Sequence, residues 1–182
     1  MNRKLLALPL LALVSGQVCA NEHQGWVYNG LTGWSSANDS GLSDTALGSN
    51  SNIGYRWGTV GIEVGHTFFG TFKDSQVVSG VNVDVDSKVD GWNAGLNFNH
   101  DFDDKWSLQG RLGVFDWHDH GHVEVAGSRV HFSDSGNDWY AGLSIDRKWR
   151  KRSAIGFGYT WYKANNARIQ LWGLHTEYRF GS

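Results

Sequence analysis

Cysteine, proline and long apolar runs are what this chain has least of. Its one cysteine, Cys19, lies in a segment with the marks of a secretory signal. Arg3 and Lys4 form a positive start, residues 5–14 an apolar stretch broken only by Pro9, and Val18-Cys-Ala20 a small-residue cleavage site. Residues 1–20 are therefore expected to be removed, leaving residues 21–182 as one domain. That domain has no thiol, which excludes a disulfide or a cysteine metal site. Lipid attachment at Cys19 is the alternative, and Ser15-Gly-Gln-Val18 fits that poorly. Beyond residue 20 no apolar run approaches the ~20 residues a membrane-crossing helix needs. Mean hydropathy is low, −0.41. An excess of positive charge is also missing. Without Arg3 and Lys4 the chain holds 14 basic and 18 acidic residues, a net charge of −4. This removes the electrostatic case for a nucleic-acid partner. No cofactor motif is found.

What is abundant is glycine and aromatics: 24 Gly, 10 Trp, 9 Phe and 6 Tyr. They fall in stretches that alternate apolar and polar residues, the period of a β-strand. Eight such stretches are read at residues 25–35, 47–57, 59–73, 81–100, 105–125, 130–149, 153–163 and 171–180. In the last, Trp172, Leu174, Thr176, Tyr178 and Phe180 oppose Gly173, His175, Glu177 and Arg179. Alone, this strand fits a soluble sandwich or a membrane barrel equally. The connections favour the barrel. Those at 57–58, 101–104 and 149–152 are short, while 36–46 and 74–80 read as long polar loops. Strands four to six exceed the ~9–11 residues that cross a bilayer, so their excess should project as hairpins. The expected fold is all-β, an eight-stranded antiparallel up-and-down transmembrane barrel with both termini on the short-turn side. Closure removes the edges that lipid cannot solvate.

The chain resembles the transmembrane domain of the OmpA family. The resemblance rests on Thr32-Gly-Trp-Ser35, Val60-Gly-Ile-Glu-Val-Gly65, Arg111-Leu-Gly113 through Trp117, Tyr159-Thr-Trp161 and Glu177-Tyr-Arg-Phe-Gly181. It spans nearly the whole mature chain and implies a Gram-negative outer-membrane location. The implied partners are outer-membrane lipids, lipopolysaccharide and the barrel assembly machinery, which would read the terminal Phe180. In some members it implies a small gated pore or a role in adhesion or envelope integrity. The family's interior ionic cluster places a lysine in strand four and an arginine in strand seven. The inward positions here are Asn97 and Gly156, while Glu63 and Arg111 match. The chain ends at Ser182, so no peptidoglycan-binding domain is expected, and a monomer is.

Several side-chain sets could carry chemistry. Glu63, Arg111, Asp146, His175, Glu177 and Arg179 should fill the lumen of an eight-stranded barrel, which has room for side chains and little else. They read as a salt-bridge plug, since an uncompensated buried charge costs several kcal/mol. The sharper reading is a narrow pore gated by Glu63–Arg111. His118, His120 and His122 share one strand face, and a hairpin tip at 126–129 would place His131 opposite Glu124. Such imidazoles could hold zinc or copper, although the spacing matches no established site. Trp26, Trp34, Trp57, Trp106, Trp117, Trp139, Trp149, Trp161 and Phe180 lie near strand ends and read as an aromatic girdle. The basic run at 147–152 suits anionic headgroups at a periplasmic turn. Ser133 beside His131 is the only hint of a lipid A-modifying enzyme, and no motif for it is present. The expectation is a non-enzymatic barrel with a structural or surface-interaction role, a small pore or an adhesin being the alternatives.

Overall fold

The computed structural model describes residues 24–39, 42–78, 81–125, 128–165 and 167–180. The signal segment and Cys19 lie outside these. Eight strands follow one another: β1 (Gly25–Asp39), β2 (Leu42–Trp57), β3 (Val60–Val78), β4 (Val81–Asp101), β5 (Trp106–Val125), β6 (Ser128–Arg150), β7 (Ser153–Ala164) and β8 (Ala167–Phe180). Each pairs antiparallel with its neighbours, and β1 pairs with β8, from Trp26↔Phe180 to Asn38↔Arg168, to close the barrel. The start of β1 at Gly25, the end of β8 at Phe180 and the turns after β2, β4 and β6 share one end, called here the turn end.

The opposite end, the hairpin end, departs from expectation. Residues 36–46 and 74–80 were expected as long loops. Instead β1 and β2 stay paired out to Asp39↔Leu42, and β3 and β4 out to Val78↔Val81. Polar composition suggested loops, but a backbone in water still pairs its N–H and C=O groups along a ladder. The asymmetry of the barrel therefore lies in strand length. β4, β5 and β6 run 21, 20 and 23 residues, against 12 and 14 for β7 and β8. The rim is tall on one side and low on the other.

The two faces of the wall invert the soluble pattern. Outward side chains form an apolar belt that includes Ile53, Ile62, Val64, Leu96, Leu112, Leu143, Ile145, Phe157 and Leu174, all exposed. Inward ones include 19 buried polar or charged residues among those described. Aromatics bound the belt at two levels. Near the hairpin end Trp34 stacks on Trp172 at 5.3 Å and Trp139 meets Trp161 at 4.3 Å. Near the turn end Trp26–Tyr55, Tyr55–Trp57 and Tyr178–Phe180 pair at 5.6, 4.9 and 4.8 Å. This is the surface of a barrel solvated by lipid, with amphipathic rings at the two interfaces.

A bulge sets the interior. The β3–β4 ladder shifts between Phe68 and Thr71, where Gly70 takes a φ of 86°. A side chain there would be strained, and its Cβ would meet the Leu47 carbonyl at 2.5 Å. The extra residue moves the inward face of β3 from odd to even positions, so Phe69 and Phe72 both enter the lumen.

Candidate functional site: the lumen and the projecting hairpins

The lumen has two layers. Towards the turn end it is polar. Arg111 Nε donates to Glu63 Oε1 at 2.9 Å, both residues being almost wholly buried. Arg56 Nη1 donates to Glu177 Oε2 at 2.9 Å. Glu177 also accepts from Gln109 Nε2 and from Arg179 Nε, each at 2.6 Å. Asn97 joins the two clusters, accepting from Arg56 Nε at 3.2 Å and donating to Glu63 at 3.4 Å. Asparagines extend the network: Arg111 Nη1 donates to Asn50 at 3.1 Å, and Asn50, Asn52 and Asn93 bond one another. Several buried atoms have no protein partner, among them both amide atoms of Asn29, Arg56 Nη2, Gln109 Oε1 and His175 Nε2. Buried polar groups are rarely left unmatched, so this layer calls for internal water.

Towards the hairpin end the lumen is apolar. Phe69, Phe115 and Tyr162 meet at 4.9–5.7 Å, and Leu31, Phe72, Trp117, Ile169 and Leu171 complete a buried cluster. Tyr140 and Tyr162 join the layers, stacked at 5.5 Å. The Tyr140 hydroxyl donates to Glu63 at 3.0 Å, and the Tyr162 hydroxyl lies 3.2 Å from Thr67 Oγ1. Gly95 and Gly113 make room for Tyr140: a Cβ on either would come within 2.7 Å of its side chain.

The expected ionic residues are thus placed as follows. Glu63, Arg111, Asp146, His175 and Glu177 are buried and inward, and Arg179 sits half-buried at the turn-end mouth. They form separate groups rather than one cluster. Asp146 accepts from Ser144 Oγ at 2.9 Å and lies 2.8 Å from His175 Nδ1. The backbone beside this pair leaves residue 156 no room for a side chain. A Cβ there would lie 1.9 Å from the Ile145 carbonyl and 2.5 Å from Asp146 Oδ1. The sequence reading missed Arg56, the cation that β2 supplies to Glu177. Its signal was present in the alternation of Asn50, Asn52, Gly54 and Arg56.

Trp117 departs from the girdle. It is 5% exposed, inside the barrel, and donates Nε1 to Asp138 at 3.2 Å. Asp138 also accepts from Lys163 Nζ at 3.0 Å and the Asn165 amide at 2.7 Å, tying β5, β6 and β7 at the low rim. Trp26, Trp34, Trp57, Trp106, Trp149 and Phe180 face outward and are exposed, while Trp161 is partly covered by Trp139.

His118, His120, His122 and His131 stand on the outward face of the β5–β6 hairpin. The β5–β6 register pairs Glu124 with Arg129 and His122 with His131, so His131 does not oppose Glu124. The physical reason is that the ladder continues out to Val125↔Ser128, which shifts the register from the one a 126–129 tip would set. His118 and His120 rings stack at 6.3 Å, and His122 and His131 lie 5.9 Å apart. Among the described residues no three His, Cys, Asp or Glu side chains are gathered into a ready coordination shell. Ser133 and His131 line one recess, and no hydrogen bond joins them.

The barrel fold is shared with solved outer-membrane proteins. Ail, the attachment invasion locus protein of Yersinia pestis, aligns with a TM-score of 0.57 at 19% identity, over 86% of this chain and 99% of that one; its crystal structure contains the heparin analogue sucrose octasulfate. OprG from Pseudomonas aeruginosa aligns with a TM-score of 0.55 at 12% identity, over 88% and 98%. Neisserial surface protein A aligns with a TM-score of 0.54 at 17% identity, over 85% and 96%. No family model matches the sequence, and no curated protein does. The fold is the eight-stranded barrel of outer-membrane proteins.

Proposed function

We propose that the protein is a plugged outer-membrane barrel that serves the Gram-negative envelope structurally and through its surface hairpins, without conducting ions. The observation that carries this is the two-layer lumen. An ion would have to cross both the Phe69–Phe115–Tyr162 cluster and the Glu63–Arg111 pair, each buried and tightly partnered. The apolar belt and paired girdles support bilayer residence. Trp149, 73% exposed, beside Arg150 and Lys151 supports contact with anionic headgroups at the turn end. Outward Phe180 supports recognition by the assembly machinery.

Planar-bilayer recording tests the closed state. Wild type and Glu63→Gln should both be silent. A steady wild-type conductance that Glu63→Gln alters would establish the gated pore instead. Outer-membrane fractions should contain a form whose gel mobility changes on heating, as folded barrels do.

Adhesion is the second reading, favoured by the tall β3–β6 wall. Expression in a non-adherent host, with and without residues 119–134, tests it. Immobilised heparin is a suitable probe because Ail, which shares the fold, was crystallised with a heparin analogue. Equal retention of both strains would dispose of adhesion through this hairpin.

A further inference from the structure

Five of the eight histidines, His66, His118, His120, His122 and His131, stand on the outward face of β3, β5 and β6. His66 bonds Asp90 at 3.2 Å, and none of the five joins the lumen network. One rung is distinctive. Asp86 on β4, His122 on β5 and His131 on β6 are direct neighbours in register. His122 Nε2 lies 3.6 Å from Asp86 Oδ2, and the two imidazole centroids are 5.9 Å apart. All three line a recess of about 550 Å³, which His120 enters from the adjoining rung.

As cations, two imidazoles directly opposite each other repel, like any cross-strand like-charge pair. As neutral rings, each keeps an acceptor nitrogen that the other cannot satisfy unless it donates. A single borderline divalent ion resolves both conditions, since it takes neutral imidazole nitrogens at about 2.0–2.1 Å and accepts a carboxylate oxygen beside them. The side chains are partly exposed on a hairpin, so rotamer adjustment brings the donors together at little packing cost. Lys88 lines the same recess and opposes a cation there.

We propose that the Asp86–His122–His131 rung is a capture site for Zn²⁺, with water completing the coordination. It does not depend on whether the barrel conducts or adheres.

Calorimetric titration of the refolded, full barrel in detergent with ZnCl₂ at pH 7.5 tests this. One ion should bind with a micromolar dissociation constant. His122→Gln/His131→Gln should weaken binding at least tenfold, and Lys88→Ala should tighten it at least twofold. His118→Gln, whose side chain does not line the recess, should bind within twofold of wild type. Heat-modifiable gel mobility confirms that each variant is folded. Wild type that neither gives heat nor competes with a zinc dye overturns the site. So does zinc binding that survives unchanged in the double variant.

Discussion

The Arg56 guanidinium and the Glu177 carboxylate, 121 residues apart in sequence, stand 2.9 Å apart inside the barrel. β2 and β8 are not neighbours in the wall, because β1 lies between them. The pair therefore bridges the lumen and holds three strands across the closure seam. Its two halves are unequally supported. Without Arg56, Glu177 would keep Gln109 and Arg179; without Glu177, Arg56 would keep only the Asn97 oxygen.

That inequality orders two variants. Glu177→Gln should destabilise the barrel by about 3–5 kcal/mol, the usual cost of stranding a buried charge. Arg56→Met should cost clearly less. Urea titration followed by the folded fraction on a cold gel would measure both. Arg56→Met proving the more damaging would sink this account.

Glycine 156 offers a sharper steric test. Gly156→Ala drives a methyl into the Ile145 carbonyl and Asp146, and should cost about 1–3 kcal/mol. Gly110→Ala is the control. Its Cβ would meet only Leu143 Cδ2, at 3.8 Å, so the change should stay within about 0.5 kcal/mol. Equal midpoints for the two variants would remove the explanation given for the glycine at 156.

Truncating the aromatic layer should weaken the fold without opening it. Phe115 is fully buried against Phe69 and Tyr162, and Phe115→Ala should cost about 3–5 kcal/mol. The Glu63–Arg111 layer below remains, so bilayer recordings should stay silent. Channel activity in this single variant would show that the polar layer does not seal.

The 102–105 turn provides a pH test. Asp103 accepts the amide protons of Lys105 at 2.6 Å and Trp106 at 2.7 Å. These bonds, the one from Lys105 foremost, hold its carboxyl below the ordinary range. A carboxyl lowered on folding stabilises the fold above its unfolded value of about 3.9, and the contribution disappears as pH falls through the folded value. Hydrogen-exchange protection of the two amides should hold from pH 6 down to about pH 4 and drop between about pH 4 and pH 2. In Asp103→Asn it should not change with pH over that interval.

The sequence showed faces more readily than partners. Alternation separated Trp92, Ala94, Leu96 and Phe98 from Asn93, Gly95, Asn97 and Asn99, and with that the barrel and its inward carboxylates became legible. Alternation also puts Trp117 on the face of Gln109 and Arg111, and Trp139 on that of Leu143 and Ile145, so the aromatic type rather than the pattern misassigned Trp117. Its partner at Asp138 was hidden. The Gly70 bulge was equally hidden, because one extra residue reverses the pattern beyond it and carries no signal in the alternation before it. Hairpin length failed for a related reason. Polar residues in water look alike whether the backbone is paired or not.

β6 exceeds β7 by 11 residues, 23 against 12. At ~3.4 Å per residue and a tilt of ~40°, one wall stands roughly 28 Å above the other. The molecule is therefore keyed. A neighbour sliding along the membrane meets a parapet from one bearing and a doorstep from the opposite one. Spinning about the barrel axis changes what the protein presents, so any lateral partner selects an azimuth as well as a surface.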